Sequence, residues 1–175
     1  MKKEKTRQVH QAQVVENYRE LLEMVESKYA ENVAYKYKKD ITAKEPEYIE
    51  KTYRQFAKDI KALSTGLLNL GLENKRVVVI GNNRYEWCTT YMAVTTGNMV
   101  IVPLDKALPE GEMKNLIQRS EAEAVVFDSK YKETMLELKK DNSNNVKILI
   151  SMDDDKDEGI EKYIEILKKG YDLLE

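Results

Sequence analysis

Four short apolar runs, rich in β-branched residues, constrain the fold of this chain more than any other feature. They occupy residues 77–80, 99–102, 124–127 and 146–150. Each is nearly continuous instead of alternating with polar residues, which is typical of strands that are buried on both faces of a sheet. The stretches between them have helical periodicity. The order β-α-β-α-β-α-β from residue 77 onward therefore predicts four neighbouring parallel strands joined by right-handed crossovers.

The intervening stretches also carry the end signals of helices. Helices are predicted over about residues 84–96, from 109 onward, over 131–140 and over 160–169. Gly97 and Gly170 are interpreted as the ends of the first and the last helix, because glycine readily adopts the conformation that closes a helix. Glu110 and Glu112 lie in the first turn of the second helix, where carboxylates interact favourably with the helix dipole.

The first 75 residues have a different pattern, and we interpret them as a subdivision of one unit, 1–175, rather than as a separate domain. A helix is predicted over about residues 12–29, a hairpin from strands 34–37 and 48–51 with the loop 39–47, and a helix over 53–70. Thr52 and Gln55 match a capping box, and Gly71 supplies the stop. The predicted fold class is α/β: a mainly parallel sheet over 76–175 with helices on both faces, plus a small N-terminal β-hairpin.

Composition narrows the functional class. Lys and Arg number 29 against 31 Asp and Glu, which gives a net charge of -2 and argues against a nucleic-acid binder. No apolar stretch approaches the roughly 20 residues that span a bilayer, and the basic start, 2–7, is not followed by the apolar run of a secretory signal. The single cysteine, Cys88, cannot form an internal disulfide. We therefore expect a cytoplasmic protein without a transmembrane segment.

Two segments resemble ligand-binding loops but fail in detail. Ser64-Thr65-Gly66 lies inside the predicted helix 53–70 and has no Gly-Lys-Ser/Thr after it, so we interpret it as helix interior rather than as a phosphate loop. In the acidic run 153–158, a calcium loop that began at Asp153 would need Gly where Glu158 stands and Glu where Ile164 stands. This run is interpreted as a solvated loop.

Three single residues have both a structural and a functional interpretation. His10 lies in a polar stretch without a ligand pattern around it, so an incidental histidine is favoured over a base or ligand. Cys88 has no histidine or basic cluster near it in sequence, which favours a buried, inert thiol. Trp87 shares one helical stripe with Tyr91 and Val94, which favours core packing over the wall of an acyl pocket.

Asn82-Asn83 follows the first buried strand, at the carboxyl end where open parallel sheets bind ligands. Asn83 and Glu86 are also spaced as a helix-capping pair, and that structural use is sufficient to explain them. No residue is therefore assigned a catalytic, cofactor-binding or metal-binding role.

Several segments occur in a characteristic order along the chain. They are the helix end Leu70-Gly71-Leu72, the strand 77–80, Asn82-Asn83 with Glu86-Trp87, the helix segment Tyr91-Met92-Ala93 to Gly97, and the strand end Val102-Pro103-Leu104-Asp105. Together they resemble the N-terminal part of the adenylate-forming (AMP-binding) acyl-CoA synthetases. Lys106, Leu108-Pro109 and Glu112 make the chain most similar to the long-chain fatty acid:CoA ligases.

The resemblance implies a two-step reaction in a full-length enzyme that uses ATP, Mg and CoA. A carboxylate attacks the α-phosphate of ATP to give an acyl-adenylate, and the CoA thiol then displaces AMP. The family's phosphate-binding loop ending in Pro-Lys, its Tyr/Thr-Glu segment, its ribose-binding Asp and its C-terminal Lys have no match in these 175 residues. This chain alone is therefore expected to be inactive and to need no cofactor.

The function expected from the resemblance is the N-terminal segment of a long-chain fatty acid:CoA ligase. Two alternatives stay open: a fragment of a short-chain, aryl or amino-acid-activating ligase, and a free-standing, non-catalytic binding module. The expected partners are the remainder of the synthetase chain and, in the full-length protein only, fatty acid, ATP and CoA. A fragment would expose apolar surface and bare strand edges, so we also expect it to self-associate as a dimer.

Overall fold

A five-stranded parallel sheet forms the centre of the computed structural model, which describes residues 13–39, 42–155 and 157–175. In chain order the strands are β3 (Arg76–Ile80), β4 (Val100–Pro103), β5 (Ala124–Phe127), β6 (Ile148–Ser151) and β7 (Glu161–Lys162). Their order across the sheet is β4-β3-β5-β6-β7, and every neighbouring pair is parallel. The prediction of four neighbouring parallel strands is confirmed.

Two layers of helices cover the sheet. They are α1 (Tyr18–Tyr29), α2 (Tyr53–Asn69), α3 (Tyr85–Thr96), α4 (Glu110–Ser120), α5 (Lys132–Lys140) and α6 (Tyr163–Leu174), with a 3₁₀ turn at Ser129–Tyr131 before α5. Val77 and Val79 face a core built with α1, α2, α3 and α6. Val78 and Ile80 face a second core built with α4 and α5. The alternation explains why the runs are apolar throughout, and it confirms the α/β fold with helices on both faces.

The N-terminal hairpin consists of β1 (Val33–Lys38) and β2 (Tyr48–Thr52), which pair antiparallel as predicted. Helix α1 begins at Tyr18 instead of near residue 12, because the side chain of Asn17 caps it by accepting from the Glu20 N–H at 3.0 Å; residue 12 itself is outside the described ranges. None of the helices in the described part of the chain is long and apolar enough to cross a membrane.

Only half of the predicted capping box forms at the start of α2. The Thr52 hydroxyl accepts from the Gln55 N–H at 3.2 Å, as expected. The return bond, in which Gln55 Oε1 would accept from the Thr52 N–H, does not form. The Gln55 side chain instead turns toward α6, and its NH₂ group donates to Asp59 Oδ1 at 2.9 Å and to the Tyr171 hydroxyl at 3.1 Å. The charged acceptor one turn along the helix thus orients Gln55 away from the cap.

The last helix differs most from its prediction. Residues 161–162, predicted to be helical, form β7, and α6 continues through Gly170 to Leu174. Gly170 does not end the helix because it is a packing position: a Cβ there would clash with the carbonyl oxygen of Ala62 on α2. Gly66 has the same role opposite Ile166. Two glycines thus let the backbones of α2 and α6 approach closely.

Both edges of the sheet are short. At one edge β7 has two residues. At the other, Val100 and Leu104 donate their N–H groups to the carbonyl oxygens of Lys75 and Val79, beside β3. The backbone N–H positions of residues 101 and 103 therefore face the open side of β4, because these positions alternate along a strand. Proline has no N–H group, and a proline on an edge discourages pairing with another chain. The bare edge that we expected from the sequence is therefore largely blocked.

The close approach of α2 and α6 gives a test of this packing. We expect Gly170→Ala to lower the free energy of unfolding by about 3 kcal/mol, because the added methyl group overpacks against backbone. Gly111→Ala is the matched control, since no atom lies within 4 Å of a Cβ on this glycine of α4. It should be neutral or stabilise by up to about 1 kcal/mol. Urea unfolding measures both, and equal midpoints for the two variants would contradict the packing.

Candidate functional site

The loops that follow the parallel strands meet at one edge of the sheet. Residues 81–84 follow β3, 104–106 follow β4, 128–131 follow β5 and 152–155 follow β6. In an open parallel sheet this edge is where ligands bind. The β3 loop is central, because β4 and β5 lie on either side of β3.

Arg84 ties three of these loops together. Its Nη1 lies 2.6 Å from Asp153 Oδ1 and 3.5 Å from Asp128 Oδ1. Its Nη2 donates to the carbonyl oxygen of Met152 at 3.4 Å, and its Nε donates to Glu86 Oε2 at 2.6 Å. One guanidinium therefore joins the ends of β3, β5 and β6, and we call these four charged side chains the strand-end network.

Asp128 is the buried member of the strand-end network, with its side chain 7% exposed. It accepts from the backbone N–H of Asn82 at 2.6 Å. Gly81 makes this approach possible, because a Cβ on Gly81 would lie 2.7 Å from the Asp128 carboxyl carbon. A buried carboxylate needs such donors, since leaving it unpaired would be strongly unfavourable.

The network shifts the ionisation of two members. Partial burial opposes the charge of Arg84, but its hydrogen bonds to Asp153 and Glu86 outweigh this and raise the pKa of the guanidinium. Burial would likewise raise the pKa of Asp153, but donation from Arg84 and from Ser129 outweighs burial and lowers it. Ser129 donates to Asp153 Oδ2 through both its N–H, at 2.9 Å, and its hydroxyl, at 2.7 Å.

The other aspartates of the acidic run have local partners. Asp155 accepts from the Ser151 hydroxyl at 2.5 Å, Asp157 lies 2.9 Å from Lys132 Nζ, and Asp154 lies 2.5 Å from Lys162 Nζ. Within the three described ranges, no three acidic, histidine or cysteine side chains form a group that could hold a metal ion. The run is a loop, as the sequence predicted, and several of its carboxylates form ion pairs or hydrogen bonds with neighbouring side chains.

A groove of about 410 Å³ opens at the ends of β3 and β4. Its walls are Gly81, Asn83, Trp87 and residues 103–106. Lys106 Nζ donates to Asn82 Oδ1 at 3.1 Å. The Trp87 ring is partly exposed and stacks on Tyr91, with ring centroids 5.7 Å apart. The predicted core packing of Trp87 is therefore found in part: the ring packs against the first core, and it is also a wall of the groove.

The orientation of α3 about its axis explains why the Trp87 ring is only partly buried. The side of α3 that is buried carries Tyr85, Thr89 and Ala93 together with Thr90 and Val94. The Thr89 hydroxyl can be buried because it donates to the carbonyl oxygen of Tyr85 and shares a 2.6 Å hydrogen bond with Tyr163. Two threonines with internal hydrogen bonds thus lie on the buried side of α3. A prediction from apolar residues alone does not place polar threonines there.

Asn82 and Asn83 lie at the predicted edge, and both are exposed. The capping pair of Asn83 with Glu86 does not form. The residue at the cap position of α3 is Arg84, whose side chain accepts no backbone N–H of the helix, and the Glu86 carboxylate pairs with the Arg84 guanidinium.

The remaining positions singled out in the sequence lie elsewhere. Ser64-Thr65-Gly66 is inside α2, as predicted. Cys88 is half-buried rather than buried; burial, and after it a hydrogen bond with Cys88, raises the pKa of the neighbouring Tyr35. His10 lies outside the described residues.

A larger cavity, of about 800 Å³, lies at the opposite end of the sheet. It is bordered by Tyr18 and Arg19 of α1 and by Asn74, Asn98 and Val100 near the amino ends of β3 and β4. Size alone does not make it the better site. The strand-end edge is favoured because it combines a groove, converging charges and shifted pKa values.

Sequence reasoning missed Arg84 and Asp128 as partners. A signal for Asp128 was present, because a lone aspartate directly follows the buried run 124–127, just as Asn82 and Asn83 follow the first run. Strand-end positions of adjacent parallel strands meet in space, so the rule applied to Asn82-Asn83 could have been applied to both loops.

Comparisons with known proteins agree on one family. The family model described as AMP-binding enzyme matches residues 22–169. The 4-hydroxybutyrate–CoA ligase 2 of Metallosphaera sedula is 30% identical over 107 residues, which cover 61% of this chain and 20% of that protein. The long-chain-fatty-acid–CoA ligase 6 of Mus musculus is 31% identical over 108 residues, or 58% of this chain and 15% of that protein.

Solved structures share the fold. The anthranilate CoA ligase AuaEII in complex with anthranoyl-AMP superposes with a TM-score of 0.76 at 15% identity, over 90% of this chain and 29% of that one. The coronafacic acid ligase of Pectobacterium brasiliense gives a TM-score of 0.71 at 24% identity, over 89% and 30%. The chain thus spans about a fifth or less of the curated relatives named above.

The strand-end network gives a prediction about stability. Arg84→Ala should lower the free energy of unfolding by about 2 kcal/mol, because it leaves the nearly buried Asp128 without its guanidinium. Arg76→Ala, which breaks an exposed pair with Glu121, should change it by less than about 1 kcal/mol. Urea unfolding at neutral pH compares the two, and a loss that is no larger for Arg84→Ala would show that the network is only a surface pair.

Proposed function

This chain belongs to the family of AMP-binding enzymes, and we propose that it is the N-terminal part of a CoA ligase that activates a carboxylic acid. The observation that carries the proposal is the family match over residues 22–169. It is supported by the two relatives described above, both named as CoA ligases, and by a fold that superposes on two solved ligases with TM-scores of 0.76 and 0.71.

The proposed reaction has two steps. A carboxylate oxygen forms a bond to the α-phosphorus of ATP while the bond to the bridging oxygen breaks, so pyrophosphate leaves and an acyl-adenylate remains. The sulfur of CoA then bonds to the acyl carbon, the bond to AMP breaks, and the thiol proton is released. Mg²⁺ would neutralise phosphate charge in the first step. We assign none of these steps to residues of this chain.

The proposed substrate is a long-chain fatty acid. Support comes from Lys106, Leu108-Pro109 and Glu112 after β4, and from the 31% identity to the mouse protein named as a long-chain ligase. The alternative is a short-chain, aryl or amino-acid-activating ligase, and the 30% identity to the 4-hydroxybutyrate–CoA ligase favours a short-chain acid to a similar degree. A free-standing binding module is the third alternative.

The contribution that we propose for this chain is structural. The strand-end network fixes the loops after β3, β5 and β6, and the cores on both faces hold the sheet on which the rest of such an enzyme would be built.

The proposal includes a cytoplasmic location, where ATP and CoA are available, and cell fractionation with an antibody to this chain tests it.

The activity can be tested with pyrophosphate–ATP exchange. We expect the product of the complete reading frame to catalyse exchange that depends on an added acid, with hexadecanoate more effective than 4-hydroxybutyrate or butanoate. Residues 1–175 alone should give no exchange above a protein-free control, because the phosphate-handling motifs of the family are not among them. A reading frame that stops at codon 175, or exchange by these residues alone, would refute the fragment proposal. A preference for the short acids would refute only the long-chain assignment.

We also propose that residues 1–175 associate as a dimer through exposed apolar side chains at the end of α6. Leu173 and Leu174 are about half exposed. In contrast, one sheet edge is the two-residue β7, and the other carries Pro103. Burial of such side chains favours association. Sedimentation equilibrium over a concentration series should show a dimer for the wild type and a monomer for Leu173→Lys with Leu174→Lys. Val33→Lys, at an equally exposed valine of β1, is the control, and a monomeric wild type would refute the proposal.

A further inference from the structure

A buried carboxylate lies in the core that covers one face of the sheet. Asp59 of α2 is 2% exposed. It accepts from the hydroxyls of Tyr85, at 2.6 Å, and Tyr171, at 2.5 Å, and from the Gln55 amide at 2.9 Å. Lys51 Nζ lies 3.4 Å away. Donors from β2, α2, α3 and α6 thus converge on one charge, which makes its burial tolerable.

Tyr85 is the donor that connects this carboxylate to the rest of the molecule. It is the first residue of α3 and is 6% exposed. Its ring packs against Tyr35 and Tyr37 of the hairpin and Phe56 of α2, with ring centroids 5.3, 5.7 and 5.9 Å apart. Lys51 Nζ lies 5.3 Å from the ring centroid. The position of this ring is therefore fixed from several directions.

The residue before Tyr85 is Arg84, the centre of the strand-end network. Arg84 has an extended backbone, with φ -139° and ψ 169°, and no side chain caps the helix that starts after it. The backbone bond from Cys88 N–H to the Arg84 carbonyl, 3.1 Å long, closes the first turn. Because no cap fixes the start of α3, its orientation depends on what the side chains of Arg84 and Tyr85 contact.

We propose that Asp59 is a positioning residue for the strand-end network: by holding the Tyr85 hydroxyl, it fixes the first turn of α3 and thereby the guanidinium of Arg84 against Asp128 and Asp153. The argument is one of distance. The Arg84–Asp153 bond is 2.6 Å long, and moving the guanidinium about 1 Å away from Asp153 would lengthen it beyond a normal hydrogen bond. The Arg84–Asp128 contact, at 3.5 Å, is already at the limit of a hydrogen bond. Asp59 itself contacts no member of the network except through Tyr85.

The pKa of Asp153 is a measure of where the Arg84 guanidinium lies, because few groups donate to the Asp153 carboxylate. Arg84 and Ser129 donate to its carboxylate, and its own N–H donates to the Ser151 hydroxyl. The nearby charges on the same network are Asp128 and Glu86. Any movement of the guanidinium therefore changes the ionisation of Asp153 in the folded protein, whereas a uniform loss of stability does not.

The test is an NMR titration of the Asp153 carboxyl carbon in the folded chain. Tyr85→Phe keeps the ring and removes the hydroxyl, and we expect it to raise the pKa of Asp153 toward its ordinary value of 3.8, a change of roughly twofold or more in the acid dissociation constant. Asp59→Asn removes the charge that the hydroxyl binds and should shift the pKa in the same direction. If Tyr85→Phe does not fold, the titration is carried out on Asp59→Asn.

Two controls separate positioning from general destabilisation. Tyr171→Phe removes a hydrogen bond to the same Asp59 carboxylate but from α6, and Tyr163→Phe removes a buried hydroxyl that bonds to Thr89 later in α3. Both should leave the pKa of Asp153 unchanged. An unchanged Asp153 pKa in Tyr85→Phe and Asp59→Asn would overturn the proposal, as would an equal shift in Tyr171→Phe.

Discussion

The hydrogen bond from the Tyr85 hydroxyl to the buried carboxylate of Asp59 links the N-terminal hairpin and α2 to the loops at the carboxyl ends of the strands. Tyr85 and Arg84 are adjacent at the junction between the β3 loop and α3, and their side chains reach different regions. Tyr85 reaches the hairpin and α2, while Arg84 reaches the ends of β5 and β6. Asp59 cannot lose its donors without leaving a buried charge unpaired, which is among the most costly defects in a core. The junction therefore joins the N-terminal elements to the sheet through polar contacts as well as through apolar packing.

Close backbone contact complements this polar junction. Gly66 of α2 and Gly170 of α6 let the two helices meet without intervening side chains. This brings Tyr163 and Tyr171, at the two ends of α6, within hydrogen-bonding distance of Thr89 and Asp59. The apolar core and the polar contacts are thus interdependent, because the tyrosine hydroxyls can reach their partners only at this helix separation.

The elements were predictable from sequence where the signal is local. Every residue in the runs 77–80 and 124–127 is apolar, which predicts strands buried on both faces of the sheet. In the structure both faces of these strands are covered by helices. Gly170 could not be interpreted correctly in the same way, since a glycine that ends a helix and a glycine that admits another backbone look alike in sequence. The difference lies in Ala62, more than a hundred positions earlier in the chain. The partial exposure of Trp87 was not predictable for a related reason: the buried side of α3 contains threonines whose hydroxyls form hydrogen bonds inside the fold.

The candidate site was predictable only in its location. Asn82 and Asn83 marked the right edge, but the side chains that organise it are separated by 44 and 69 positions in the contacts of Arg84 with Asp128 and Asp153. Strand order divides this edge into two parts. Beside β5 and β6 the carboxylates already bind the Arg84 guanidinium and the Ser129 donors, and a ligand would have to displace these groups. Beside β4, in contrast, Lys106 bonds to a neutral amide oxygen and faces an open groove with Trp87. Because β3 lies between the two parts, its loop contributes Arg84 to the closed part and Asn83 to the open one.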